Sequence, residues 1–234
     1  MKNILHEEKV IKNAWKNINK TISIMERPPR LFKIIPKKTA LLVIDMQNCF
    51  CAPGGSIEIK NTRTITPNIN KITKQCRQKQ IPIIWIKMMG DPTRRNTGLW
   101  RLFQPNSPLS KTLETPQMAL SKKSNQSKLW KDLELNKKDE IISKKRYSAL
   151  ITGSSKLNTR LKKLKKDTVI ITGVGTNVCC ESTARDAMML NYKVIVINDA
   201  NATFNNLFHE ISLMNIKLFF GDVISTKELL KEIS

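Results

Sequence analysis

The chain has 234 residues, 40% of them hydrophobic and 26% charged, which is enough for one well-buried core and too apolar for a disordered chain. Eight Gly and ten Pro exclude collagen-like and low-complexity classes, and no apolar run approaches the roughly 18 residues of a membrane span. The formal charge of +22 raises a nucleic-acid reading, and half of it falls between residues 122 and 166, which hold 15 basic and 4 acidic side chains. Only two aromatics, Trp130 and Tyr147, stand among those lysines and no base-reading motif does, so the stretch reads as a solvated face and no nucleic-acid partner is expected.

In chain order, His6-Glu7-Glu8-Lys9-Val10 interrupts any signal-peptide core, so a cytoplasmic chain with no membrane partner is expected. Residues 7–26 carry Ile11, Trp15, Ile18, Ile22 and Met25 at helical steps, a single apolar stripe that Arg27-Pro28-Pro29-Arg30 brings to an end. Residues 1–38 therefore read as an amphipathic helix and linker ahead of a domain over 39–234. Such a helix can pack on its own domain or on a second copy, which leaves room for a homo-oligomer.

From Thr39 onward short apolar runs alternate with longer amphipathic stretches, the pattern of strands buried by crossover helices. The expected strands are Ala40–Ile44, Ile81–Ile86, Glu140–Ser143, Val169–Thr172, Val194–Ile197 and Phe219–Ile224. Helices are expected near 65–79, 154–165, 177–191, 205–215 and 226–233. The fold class is α/β: a three-layer sandwich of a six-stranded, mainly parallel sheet with helices on both faces. Met88 to Lys138, with Pro92, Pro105, Pro108 and Pro116, reads as an excursion over the sheet that forms part of a pocket.

Ligands of open α/β sheets lie beyond the carboxyl ends of the strands. Three such ends carry polar groups: Asp45, Lys144 and the run Gly173-Val174-Gly175-Thr176-Asn177-Val178-Cys179. With Thr176 as N-cap, Cys179 falls in the first helical turn, where the helix dipole and a nearby Lys144 would both favour its thiolate. Asp45 can take the thiol proton and return it to a leaving nitrogen. Only two histidines, His6 and His209, occur in the chain, and no CxxC. A metal site of the usual kind is not expected, nor is a cofactor, and five cysteines point to free thiols rather than a disulfide framework.

The segments Ala40-Leu41-Leu42-Val43-Ile44-Asp45-Met46-Gln47, Lys144-Lys145-Arg146-Tyr147-Ser148-Ala149 and Gly173 through Ala187, in that order, make the chain resemble the isochorismatase-like cysteine hydrolases, over roughly Thr39 to Ser225. The resemblance implies a triad of Cys179 as nucleophile, Asp45 as acid/base and Lys144, not Lys145, as its cation. It also implies a cis Val174–Gly175 peptide, an oxyanion hole of the Gly175 and Cys179 N–H groups, and substrate contacts at Tyr147 and Gln47. The metal-bearing branch of the family uses an Asp and histidines that this chain lacks. The likeness is strongest to ureidoacrylate amidohydrolases, so the expected substrate is a small amide or ureide cleaved at a C–N bond through a thioester. Lys87-Met88-Met89-Gly90 replaces the polar pocket segment of those enzymes and should make the wall more apolar. The contrasting reading is a non-catalytic binding protein that holds an acidic partner on its basic face. Cys180 reads as a packed thiol, Cys49 and Cys51 as loop thiols at the mouth, Arg185 and Asp186 as helix braces, and His6 and His209 as surface or packing residues.

Overall fold

A computed structural model describes residues 2–90 and 119–234. Six strands form one sheet: β1 (Thr39–Ile44), β2 (Ile83–Met88), β3 (Glu140–Lys144), β4 (Thr168–Val174), β5 (Lys193–Ala202) and β6 (Asp222–Ile224). Their order is β3-β2-β1-β4-β5-β6, and every pairing is parallel. The helices are α1 (Lys2–Ile24), α2 (Asn48–Cys51), α3 (Thr62–Gln78), α4 (Leu157–Lys163), α5 (Glu181–Met189), α6 (Asn206–Asn215) and α7 (Thr226–Glu232).

Strand alternation builds two cores. Leu41, Val43, Ile83, Trp85, Ile170 and Ile195 face α3 and α7, where Ile69, Ile72 and Leu229 meet them. Leu42, Ile44, Ile84, Ile86, Ile171 and Val196 face the other way, onto Leu157, Leu161, Ala184, Ala187 and Leu213 of α4, α5 and α6. A sheet covered on both faces needs no polar side on its central strands, which is why β1 and β4 are buried at every position.

The sheet is thus wholly parallel, and two expected boundaries are corrected. Phe219 and Phe220 belong not to the last strand but to a π-helical turn, Ile216–Phe220, that continues α6. A short apolar run fits a buried helix end as well as a strand, and here the Arg27 guanidinium holds the turn by donating to the carbonyls of Lys217, Leu218 and Gly221. The expected helix over 177–191 begins instead as a π-helical turn, Thr176–Cys180, ahead of α5. Of the proline-containing excursion, 91–118 lies outside the described residues.

Residues 15–34 are tied to the sheet domain. Trp15 packs on the α4–α6 side and donates from Nε1 to Glu210 Oε2 at 2.7 Å. Asp222, 2% exposed, accepts from the Leu31 and Phe32 backbone at 3.0 Å and from Arg30 at 3.2 Å. Ile34 N–H donates to Glu232 at 2.7 Å. The helix therefore packs on its own domain. Among the described residues no helix is long and apolar enough to cross a membrane.

Candidate active site

β1, β3 and β4 end at the same edge and deliver Asp45, Lys144 and Cys179 to one point. Lys144 stands on β3, two strands away from β1, a gap of about 10 Å that only a long side chain crosses. Its stem passes over the end of β2, where Met88 Sδ lies 3.5 Å from Nζ. The ammonium then sits 2.8 Å from Asp45 Oδ2, 3.2 Å from Cys179 Sγ and 3.1 Å from the Arg146 carbonyl. Lys144 is 0%, Asp45 1% and Cys179 7% exposed. Asp45 and Lys144 thus form a fully buried ion pair.

Local backbone explains why these positions meet. Asp45 has φ +53°, a left-handed conformation that Asp tolerates better than most residues and that turns its side chain off the strand axis. Gly173, opposite Ile44 in the β1–β4 register, has φ +117°, and a Cβ there would lie 2.1 Å from the Ile44 carbonyl oxygen. Only glycine fits. The Val174–Gly175 peptide is cis, and the Gly175 carbonyl accepts from Val178 N–H at 3.0 Å and Cys180 N–H at 3.2 Å to close the nucleophile turn.

That turn is anchored from behind. Thr176 does not cap it: the cap position is Gly175, and Thr176 Oγ1 instead lies 2.8 Å from His209 Nδ1 on α6. Burial lowers the His209 pKa, with Glu210 and the Asn198 backbone acting against it. Ser212 Oγ donates to the Thr176 carbonyl at 3.2 Å, and Thr203 Oγ1 to Asn177 Oδ1 at 2.7 Å. His209 is therefore part of the scaffold behind Cys179 rather than a surface residue. Nothing in the sequence spacing marks that pair.

The electrostatics overturn one expectation. Burial pushes the Cys179 thiol up to about 12; Lys144 draws it down, and the Asp45 charge works against Lys144. Burial thus favours the neutral thiol, against the thiolate that the helix dipole and Lys144 were expected to favour. Burial would depress the Lys144 ammonium, but Asp45 and Cys179 together override it and hold its pKa above the ordinary value. Cys180 is fully buried in the core, and burial raises its thiol well beyond the usual range.

Tyr147 is half-buried, its phenol raised by burial and then by Cys179, with Lys144 opposing. It lines an open depression of about 370 Å³ with Arg146, Ser148, Ile151, Ser182 and Arg185. Gln47 is wholly buried and its amide is committed: Nε2 donates to Met88 O at 3.1 Å and Ser127 O at 2.9 Å, and Oε1 accepts from Met88 N–H at 2.7 Å. Cys49 and Cys51 are not loop thiols at the mouth but buried residues of α2. Met88, 2% exposed, packs beneath the lysine rather than forming an open wall. Arg185 braces α5 through Glu181 and stacks on the Phe220 ring at 4.1 Å. Among the described residues no three His, Cys, Asp or Glu side chains are placed to share a metal ion.

A six-stranded, wholly parallel α/β sandwich with helices on both faces is the isochorismatase-like hydrolase fold. The Isochorismatase domain matches residues 39–228, and the chain belongs to that family. It is 29% identical over 217 residues to the ureidoacrylate amidohydrolase RutB of Acinetobacter baylyi, covering 87% of each chain. RutB of Pseudomonas syringae pv. syringae is 30% identical over 211 residues, 86% of this chain and 85% of that one. A solved cysteine hydrolase from Pseudomonas syringae pv. phaseolicola superposes with a TM-score of 0.80 at 31% identity, over 88% of this chain and 97% of that one. The pyrazinamidase/nicotinamidase of Streptococcus mutans superposes at 0.66 and 25% identity, over 80% and 99%.

Proposed function

We propose that the protein is a cysteine amidohydrolase that cleaves a C–N bond in a small amide or ureide. The observation that carries this reading is one buried ammonium, 2.8 Å from a carboxylate and 3.2 Å from a thiol sulfur. A protonated thiol needs a base at the moment of attack, and Asp45 is the carboxylate at hand. Cys179 Sγ bonds to the substrate carbonyl carbon as its proton passes to Asp45, and the carbonyl oxygen takes the negative charge facing the Gly175 and Cys179 N–H groups. Collapse breaks the C–N bond, Asp45 gives its proton to the departing nitrogen, and a thioester remains on Cys179. Water then attacks the thioester with Asp45 as base, releasing the acid and restoring the thiol. Lys144 keeps its proton throughout and holds the two partners in register. The related amidohydrolases and cysteine hydrolase support the reaction class.

Tyr147 is the substrate contact on the rim, while Gln47 acts by fixing the end of β2. The favoured substrates are small N-carbamoyl or primary amide compounds with an apolar body, for which half-buried Met89 rather than buried Met88 supplies the apolar wall, with ureidoacrylate turned over but not preferred. The test is kcat/KM for ammonia release across such a panel, with Cys179→Ala as blank. Turnover that vanishes in the blank supports the reading. Ureidoacrylate at least about tenfold better than every other member would overturn the substrate preference, and no turnover by a folded protein would replace the enzyme with a binding protein on the same fold.

A further inference from the structure

Because every strand runs the same way, all the segments that enter the sheet lie along the edge opposite Asp45 and Cys179. Lysines lead into four adjacent strands of that edge: Lys138 into β3, Lys79 into β2, Lys38 into β1 and Lys165 into β4. At strand spacing the row is about 14 Å long. Exposed Lys37, Lys137 and Lys163 add charge beside it. Three acids of this edge already have cations: Asp139 lies 2.7 Å from Arg77, Glu140 pairs with Arg160, and Asp167 lies 3.6 Å from Lys193, while exposed Glu134 ahead of β3 has no cation within ion-pair distance among the described residues. Among the described residues none of these row lysines has an acidic partner within ion-pair distance.

Lys166 is half-buried and donates to the Lys37 carbonyl at 2.9 Å, and burial followed by the Lys38 charge holds its ammonium below the ordinary lysine value. Helix carboxyl ends attract one cation each, which accounts for Lys79 after α3 and Lys163 in the last turn of α4. It does not account for Lys37, Lys38, Lys137 and Lys138, which follow no α-helix.

We propose that this lysine row is a binding surface for the phosphate backbone of double-stranded nucleic acid, read without regard to sequence. One strand of a duplex presents a phosphate about every 3.4 Å along the axis, so the row spans about four of them. Among the described residues no exposed aromatic stands in the row as a platform for unstacked bases, which favours a duplex over a single strand. A lipid surface would call for a continuous apolar anchor beside the charges, whereas the segments entering the row expose two separate large apolar side chains, Ile35 at 48% ahead of β1 and Leu135 at 49% ahead of β3. Strands of six residues put the triad about 20 Å away, so a bound duplex leaves the catalytic edge open. The proposal stands independently of the amidohydrolase reading.

Fluorescence anisotropy with two unrelated labelled duplexes of about 20 base pairs tests it, at salt from about 50 to about 200 mM. Both duplexes should bind alike, with a log–log salt slope of about −3 to −4. Lys38→Gln, Lys79→Gln, Lys138→Gln and Lys165→Gln combined should weaken binding about tenfold or more at low salt and flatten the slope. An equal charge loss on the exposed side of α1, from Lys9→Gln, Lys12→Gln, Lys16→Gln and Lys20→Gln, should leave binding intact. The double reversal Lys38→Glu/Lys165→Glu serves as a second probe if the fourfold variant melts early. No binding at low salt, equal binding by wild type and edge variants, loss only in the α1 variant, sequence-selective binding, or tighter binding to phosphatidylserine vesicles than to duplex would each overturn the proposal.

Discussion

Lys144 Nζ lies 2.8 Å from Asp45 Oδ2, and neither side chain is open to solvent. A buried pair of this kind is costly to break because the remaining charge has no water to turn to, at about 3–5 kcal/mol. Lys144→Met is therefore expected to lower the thermal midpoint sharply, and Asp45→Asn with Lys144→Gln to recover much of it by removing both charges. Activity should stay absent in both variants. Differential scanning calorimetry beside the ammonia assay checks this, and a double variant no more stable than Lys144→Met counts against the pair as the cause.

Cys179 and Cys180 are neighbours in sequence with different surroundings: Cys179 meets Lys144 at 3.2 Å, whereas Cys180 has 0% exposure in the core. Cys179→Ala should cost on the order of 10⁴-fold or more in kcat, and Cys180→Ala should keep most of the activity at a stability loss of about 1 kcal/mol. Iodoacetamide should modify Cys179 before Cys180. With the thiol raised to about 12, the alkylation rate should climb with pH and show no plateau below about pH 9. A plateau near neutrality would mean a preformed thiolate.

Alkali should unfold the protein early. Burial pushes Cys51, Cys76 and Cys179 up to about 12 from an ordinary 9.0, so the fold favours the neutral thiols. Their contribution is complete below the unfolded value and is lost as pH rises through the folded one. Lys144, raised above its ordinary 10.5, acts in the same direction. Urea midpoints between about pH 8 and about pH 11 should fall steadily, and Cys76→Ala should fall less. A flat series would show that these thiols titrate alike in both states.

Prolonged EDTA treatment should leave activity unchanged, since no described cluster supplies three metal-ligating side chains. Recovery of lost activity by a divalent metal would show a site that this arrangement does not account for.

Most of the sheet was legible because its strands are continuous apolar runs between amphipathic segments, and Asp45, Lys144 and Cys179 stood at three of the strand ends. What the sequence concealed depends on three-dimensional approach. Gly173 looks like one glycine in a loop until Ile44 is seen 2.1 Å from its absent Cβ. The state of Cys179 follows from burial, which overrides the dipole and the lysine that local spacing suggests. His209 and Thr176 are 33 residues apart, and no periodicity connects them. The lysines at the entering edge are scattered in sequence and come into line only through the parallel order of the strands.

The docking of residues 15–34 sets an order of events during synthesis. Trp15, Arg27, Leu31 and Ile34 bond to groups 195, 190, 191 and 198 residues later in the chain. A ribosome releases residues at about 5–20 per second, so these early segments wait on the order of ten seconds or more before Glu210, the carbonyl of Lys217, Asp222 and Glu232 emerge. In that interval the apolar stripe of α1 has no native surface to cover it. Residues 15–34 and the C-terminal elements from α6 to α7 therefore settle together, and the fold closes only when its most distant partners in the chain are both present.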